Sequence, residues 1–336
     1  MLASLVFRVA SISWCLVGTL AAQSTPYSGP IIDVHLHART TEALKKLRRG
    51  IAKPDAGQPE LLADRAAARQ GAVLATSLGI AHLHELPELD ADGHLRATLA
   101  AMDRFNIVIG MVDGSDDRVL AWTNAAPNRF LVGESSGNVE RAKQARATAR
   151  VDFIGEWGAQ YRGLAPNDPT LEPMWAWAEA EDLPVGYHMH PGPPGAPYVS
   201  KLKTAHGRPL LLEDVLQKHP KLRLFVMHAG WPFGDEMIAL MWDYPQVHVD
   251  IAVINWTLAR AEFHAYLKRM IDAGFIDRIM FGSDQMEWPE AIAKAIKAVD
   301  SAPFLSATQK HAIFYGNAAR FFRLEKTKNP SRIQSP

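Results

Sequence analysis

The stretch IIDVHLHA, residues 31–38, carries two histidines one residue apart at the end of an apolar run, His35 and His37. Alternate residues of a strand share a face, so the two imidazoles can hold one divalent cation between them. Further ligand-type side chains end other β-rich runs: Glu156 in FIGEWGAQY, His188 in LPVGYHMHPG, His228 in FVMHAGWP and Asp284 in IMFGSDQ. One such pair is weak evidence; six groups at the ends of five runs, in order, are strong evidence. The only cysteine is Cys15, inside an apolar N-terminal stretch. Any metal in the remaining chain must therefore be held by His, Asp and Glu.

Eight short β-rich runs position these residues: 31–38, 106–112, 129–135, 152–158, 183–190, 222–230, 246–253 and 277–284. Segments of helical periodicity separate them, such as NVERAKQARATAR and AEFHAYLKRMIDAG. Strand–helix alternation implies parallel pairing. Eight units predict an α/β protein built as one (β/α)8 barrel, whose C-terminal strand ends form the active-site mouth. An open doubly wound sheet competes, but no Gly-rich dinucleotide fingerprint follows the first strand. Residues 50–100 exceed one crossover and read as helices with an insertion. PGPPGAP, residues 191–197, reads as a stiff loop after strand 5.

The pieces DVHLHA, LPVGYH, VMHAG and FGSD together resemble the amidohydrolase superfamily, in particular its amidohydrolase-related group of metal-dependent hydrolases. The resemblance runs from His35 to YGNAARFFRL near the C-terminus. It implies a (β/α)8 barrel with one or two divalent cations, often zinc. It makes His35, His37, His188 and His228 candidate ligands, and Asp284 a ligand or general base. Two-metal relatives often place a carboxylated lysine on strand 4, and DFIGEWGAQY has no lysine. Glu156 either bridges two cations there or orients substrate beside one. A divalent cation lowers the pKa of water from 15.7 to about 7. Asp284 would then take that proton and pass it to the leaving group, with His228 or the metal polarising the carbonyl. His/carboxylate sites accept Zn, Mn, Fe or Ni.

Residues beside these positions are candidates for substrate contact: His190, on the same side as His188; Trp157, Trp231 and Trp288, which suggest apolar walls and an apolar or aromatic substrate; and Arg39, as a carboxylate binder. The tryptophans serve equally as packing for loops, and Arg39 as a surface ion pair. A second HLH at His82–His84 lies in the insertion and reads as a loop. GESSG, residues 133–137, matches a nucleophile elbow with Ser135 as nucleophile and His311 as base. That alternative leaves four histidines without a role, and a Gly/Ser turn is simpler.

The chain of 336 residues is 48% hydrophobic, ample for a large core. Lys+Arg and Asp+Glu both total 36, so no global field points to nucleic acid or anionic membranes. Arg8 followed by VASISWCLVGTLAA reads as a signal peptide over 1–22, cleaved near Ala21 or Ala22, so the expected location is periplasmic or secreted. An uncleaved membrane anchor fits less well, because the run is short and holds Ser, Thr and Gly. A linker over 23–30, the barrel over 31–325 and a polar tail over 326–336 complete the layout. The leading expectation is a hydrolase of amide, ester or lactone bonds in a small molecule. A non-oxidative decarboxylase of an aromatic or unsaturated acid comes next, and a non-catalytic metal-binding protein last.

Overall fold

The computed structural model describes residues 26–45, 86–192, 197 and 201–324. The expected signal peptide, His82–His84, most of the 191–197 loop and the 326–336 tail lie outside the described residues. Eight parallel strands pair in sequence order: β1 (Ile31–Ala38), β2 (Ile107–Gly114), β3 (Phe130–Glu134), β4 (Phe153–Trp157), β5 (Val185–His188), β6 (Leu224–Met227), β7 (Val247–Asp250) and β8 (Ile279–Met280). Helices run between them: α1 (Ala91–Arg104), α2 (Asp116–Ala125), α3 (Val139–Thr148), α4 (Glu172–Ala180), α5 (Glu213–Lys218), α6 (Gly234–Asp243) and α7 (Arg260–Asp272), with α8 (Ala291–Asp300) after β8. This is the expected (β/α)8 barrel in a single domain. Among the described residues no helix is long and apolar enough to cross a membrane.

Strand β8 is much shorter than its β-rich run. Its continuation serves the seam with β1 instead: Val34 donates its N–H to the Phe281 carbonyl at 3.0 Å and Asp284 donates to the His35 carbonyl at 2.9 Å. Asp33 secures the same seam, accepting the N–H groups of Ser283 at 2.8 Å and His35 at 3.1 Å through one oxygen.

Two apolar layers follow from the strand period of two. Ile154, Val185, Tyr187, Leu224, Val226, Val247 and Val249 face outward into the large helix-covered core. Ile32, Met111, Leu131, Phe153, Phe225, Met227 and Met280 form a separate cluster with Ala318, Ala319 and Phe321. This second cluster fills the lower lumen, where Phe321 and Phe322 meet Phe225 edge-on at 5.7 Å each. The lumen is thus a packed floor, and the polar residues stand above it at the C-terminal strand ends.

Candidate metal centre

Six of the residues singled out in the sequence converge above that floor. The rings of His35 and His37 lie edge to face at 5.0 Å, and His35 stacks on His228 at 5.2 Å. Glu156 stands between two imidazole pairs. Its Oε1 accepts from Nδ1 of His188 and, at 3.1 Å, from Nε2 of His228. Its Oε2 faces Nε2 of His37 at 3.4 Å and Nε2 of His35 at 3.8 Å. Asp284 Oδ1 lies 3.1 Å from Nε2 of His37 and 3.9 Å from Nε2 of His35.

The route by which each side chain arrives differs. His188 needs only alternation, because Tyr187 faces out. Glu156 does not follow alternation: the ladder to β5 shifts register between Ile154 and Trp157, so Trp157 points outward and Glu156 into the mouth. His228 follows Met227, which already faces the lumen, so regular alternation would turn it outward. A left-handed backbone at His228 (φ 60°) and Ala229 (φ 50°) returns it to the centre, and Asp284 is left-handed too (φ 47°). Such conformations cost on the order of 1–3 kcal/mol each and survive where the surroundings over-determine them.

Carboxylates and carbonyls behind the rings fix the tautomers. Asp250 Oδ2 accepts Nδ1–H of His35 at 3.0 Å, Asp113 Oδ1 accepts Nδ1–H of His37 at 2.5 Å, and the Ala252 carbonyl accepts Nδ1–H of His228 at 3.1 Å. Sequence alone does not name these partners. Asp113 and Asp250 nevertheless have a visible signal, since each is an acidic residue at the C-terminal end of an apolar strand. Gln285 is a further one, clamping the backbone of His37 with both ends of its amide at 3.1 and 3.2 Å. Tyr161, from the turn after β4, places its hydroxyl 3.4 Å from Nε2 of His188.

The residues fit a divalent cation. Nε2 of His35, Nε2 of His37 and Oδ1 of Asp284 are buried and face one another and Glu156 Oε2 without an aligned hydrogen bond. Buried polar atoms are almost always paired; here three face one point beside Glu156 Oε2. Three overlapping donor sets are close enough for a shared ion: His35, His37 and Glu156; Glu156, His188 and His228; and His35, His228 and Asp250. The charge balance agrees. Burial pushes the Glu156 carboxyl up, but His188, His228 and His35 outweigh it and hold it well below its ordinary range. Burial likewise opposes ionisation of Asp284, which His35 and His37 bring down to about 2. His37 is pushed down by burial and by Arg39 but raised overall to about 10 by Asp113 and Asp284. Protons therefore occupy the network when no cation is bound, and a cation would displace them.

The substrate-side candidates divide. His190 stacks on Trp231 at 5.6 Å and lies 5.3 Å from the His228 ring, so both stand beside the centre. Arg39 follows β1 at the same level. Trp157 is a correction: it is 1% exposed and packs outward on Trp175 at 4.4 Å and Tyr187 at 5.3 Å, so it lines no mouth. Trp288 is a second correction, 1% exposed and set edge-on to Trp256 at 6.2 Å. Ser135 and His311 are held at opposite ends of the barrel. Ser135 follows the C-terminal end of β3, whereas His311 Nδ1 lies 3.1 Å from the hydroxyl of Tyr27, ahead of β1. The GESSG turn leads into α3, whose first turn is capped by Asn138 accepting the Arg141 N–H at 3.0 Å.

The amidohydrolase family model matches residues 32–324. None of the curated protein sequences matches this chain. Solved structures match in fold. An amidohydrolase from Burkholderia multivorans with bound zinc aligns with a TM-score of 0.57 at 15% identity, covering 88% of this chain and 99% of its own. A probable 2-pyrone-4,6-dicarboxylic acid hydrolase from Acinetobacter baumannii aligns at 0.56 and 13% identity, covering 88% and 100%. A 5-carboxyvanillate decarboxylase from Novosphingobium aromaticivorans, complexed with manganese and a nitrobenzoic acid, aligns at 0.56 and 15% identity, covering 90% and 97%.

Proposed function

The chain belongs to the amidohydrolase family, a family of metal-dependent enzymes, and from that premise we propose that it hydrolyses an amide, ester or lactone bond of a small molecule. The observation that carries the proposal is the division of Glu156, with one oxygen toward His188 and His228 and the other toward His35 and His37. A carboxylate so divided could serve as donor in both the His35–His37 set and the His188–His228 set. When bound, divalent cations supply an acidified water and a polarised carbonyl. His35, His37, His188, His228 and Glu156 would hold them, with zinc the first candidate because the donors are imidazoles and a carboxylate.

The chain's own residues supply the rest. Asp284 is ionised, and its Oδ1 faces Nε2 of His37 at 3.1 Å without an aligned hydrogen bond. It is placed to accept a proton from water and return it to the leaving group. His190 and Trp231 form a flat aromatic wall beside His228, suited to a planar substrate. That wall also favours a second reading, decarboxylation of an aromatic acid, and the decarboxylase that shares the fold supports it. Residues 1–22 support export of the mature enzyme.

The test is elemental analysis of the purified chain followed by turnover assays with zinc and manganese restored after chelation. Hydrolysis predicts metal-dependent cleavage within a panel of esters, lactones and amides. Release of CO2 from aromatic acids, with one ion per chain and no cleavage of that panel, would establish decarboxylation instead. Activity that survives chelation would overturn both.

A further inference from the structure

His190 stands two residues past His188 and is half-buried, its ring 5.3 Å from that of His228 and 6.1 Å from that of His188. Three contacts hold it. Its carbonyl accepts Nε2–H of Gln160 at 2.5 Å, its face stacks on Trp231 at 5.6 Å, and its Nδ1 accepts the backbone N–H of Gly192 at 3.1 Å. The turn that delivers this N–H needs glycine, because Gly192 has φ 77° and a Cβ there would meet Leu202 Cδ1 at 2.8 Å. Trp231 is in turn tied through its Nε1–H to Glu262 at 3.1 Å.

A backbone N–H can only donate, so Nδ1 of His190 is the lone-pair nitrogen and the ring proton lies on Nε2. That is the reverse of its neighbours. His35, His37 and His228 donate Nδ1–H to Asp250, Asp113 and the Ala252 carbonyl, which leaves Nε2 as the lone pair offered to a cation. In that role His228 has no proton left for a substrate carbonyl. His190 keeps one, and its Nε2–H meets no acceptor among the described residues. We propose that His190 is a catalytic residue whose Nε2–H hydrogen-bonds the substrate carbonyl oxygen and stabilises the oxyanion that forms when water adds. The inference rests on the hydrolase reading above and deepens it. In that step the water oxygen bonds to the carbonyl carbon, the carbonyl π pair moves onto oxygen, and a water proton passes to Asp284. Collapse then restores the carbonyl, breaks the bond to the leaving group and sends it off with that proton. His190 keeps its own proton throughout and acts as a neutral, preorganised donor. The substrate class is a planar acyl compound whose carbonyl oxygen lies beside the His190–Trp231 wall.

Two measurements on the zinc-loaded chain test this. The first is nitrogen-15 NMR of histidine-labelled protein at pH 7, with the His190 signals assigned by their loss in His190→Asn. Nδ1 is expected to be pyridine-type and Nε2 pyrrole-type; the opposite pattern, or a proton on both nitrogens, overturns the proposal. The second compares His190→Gln, whose amide N–H can reach the place of Nε2–H, with His190→Asn, whose shorter amide falls near Nδ1. The assays use dihydrocoumarin, phenyl acetate and acetanilide, a planar lactone, ester and amide. His190→Asn should lose about 10²–10³-fold in kcat, as one missing oxyanion donor does, with KM, metal content and denaturation midpoint close to wild type. His190→Gln should regain at least about tenfold of that loss. Unchanged kcat in His190→Asn, equal loss in both variants, or a loss confined to KM or accompanied by lost metal overturns the proposal. If the wild type cleaves none of these three, nor any other member of the ester, lactone and amide panel, the hydrolase reading itself falls and this inference with it.

Discussion

Asp113 accepts the Nδ1–H of His37 at 2.5 Å. Its other oxygen accepts the backbone N–H of Glu156, also at 2.5 Å. One carboxylate on β2 thus sets the ring of a β1 residue and the backbone of a β4 residue, both candidate ligands. Carboxylate partners of this kind fix the tautomer and raise ligand basicity, and their loss costs roughly 10–100-fold in metal affinity. Asp113→Asn should fold and weaken metal binding by about that factor, read by competition with a chromophoric chelator. Affinity equal to wild type would mean that Asp113 only supports the backbone.

Asp284 and Glu156 are both buried acids near the same imidazoles, yet their surroundings give them different tasks. Glu156 is hydrogen-bonded by two histidines through Oε1, whereas Asp284 Oδ1 faces only the His37 ring at 3.1 Å, without an aligned hydrogen bond. Asp284→Asn is therefore expected to keep most of its metal and to lose about 10²–10⁴-fold in kcat, the usual contribution of a placed acid–base group. Glu156→Gln should lose bound metal itself. Metal content measured alongside kcat for both variants separates the two roles, and equal metal loss in the two would contradict the assignment.

The eight strands and the level of the site were legible in sequence because both rest on period and order. Apolar runs mark strands, and residues at their C-terminal ends meet in a parallel barrel. His188 could be aimed correctly from alternation alone. Glu156 and His228 were found at the right ends, but their direction was not derivable. A register shift in β4 turns Glu156 in and Trp157 out, and a left-handed residue turns His228 back. Those local departures also carry Trp157 away from the mouth. Adjacency in sequence to a site residue does not put a side chain there, because a strand sends neighbours to opposite faces. Asp113 and Asp250 went unnamed because pairing a carboxylate with one particular imidazole needs coordinates.

His248 provides a pH signature far below the centre. It sits on β7 against Phe321 at 4.6 Å, at the lumen floor. Burial lowers its pKa from 6.5 to about 4, with Arg278 and Arg320 adding to the effect. The folded state therefore holds the neutral ring, while the unfolded chain takes up a proton below pH 6.5. The stability linked to this group is fully present above pH 6.5 and is lost as pH falls toward 4, by at most about 3 kcal/mol. Denaturant unfolding at pH 7 and pH 4.5 should show a smaller acid loss for His248→Asn than for wild type. Parallel pH profiles for the two proteins would show that the ring is solvated.

Trp157 and Trp231 provide the sharpest contrast between a tryptophan that holds the barrel and one that meets substrate. Trp157 is 1% exposed, wedged between Trp175 and Tyr187 in the layer under the helices. Truncating so large a buried ring costs about 3–5 kcal/mol, through lost burial and the cavity left behind. Trp231 is half-buried, stacked on His190, with its Nε1–H donated to Glu262 at 3.1 Å. Its removal forfeits about 0.5–1.5 kcal/mol of ring contact and leaves a vacant wall beside His228. Trp157→Ala should therefore shift the denaturation midpoint strongly, and any activity of the folded fraction should keep the wild-type KM. Trp231→Ala should unfold close to wild type and show a raised KM for planar substrates. A reversed pattern, with Trp157→Ala altering KM and Trp231→Ala unfolding early, would restore Trp157 to the mouth and make Trp231 a packing residue.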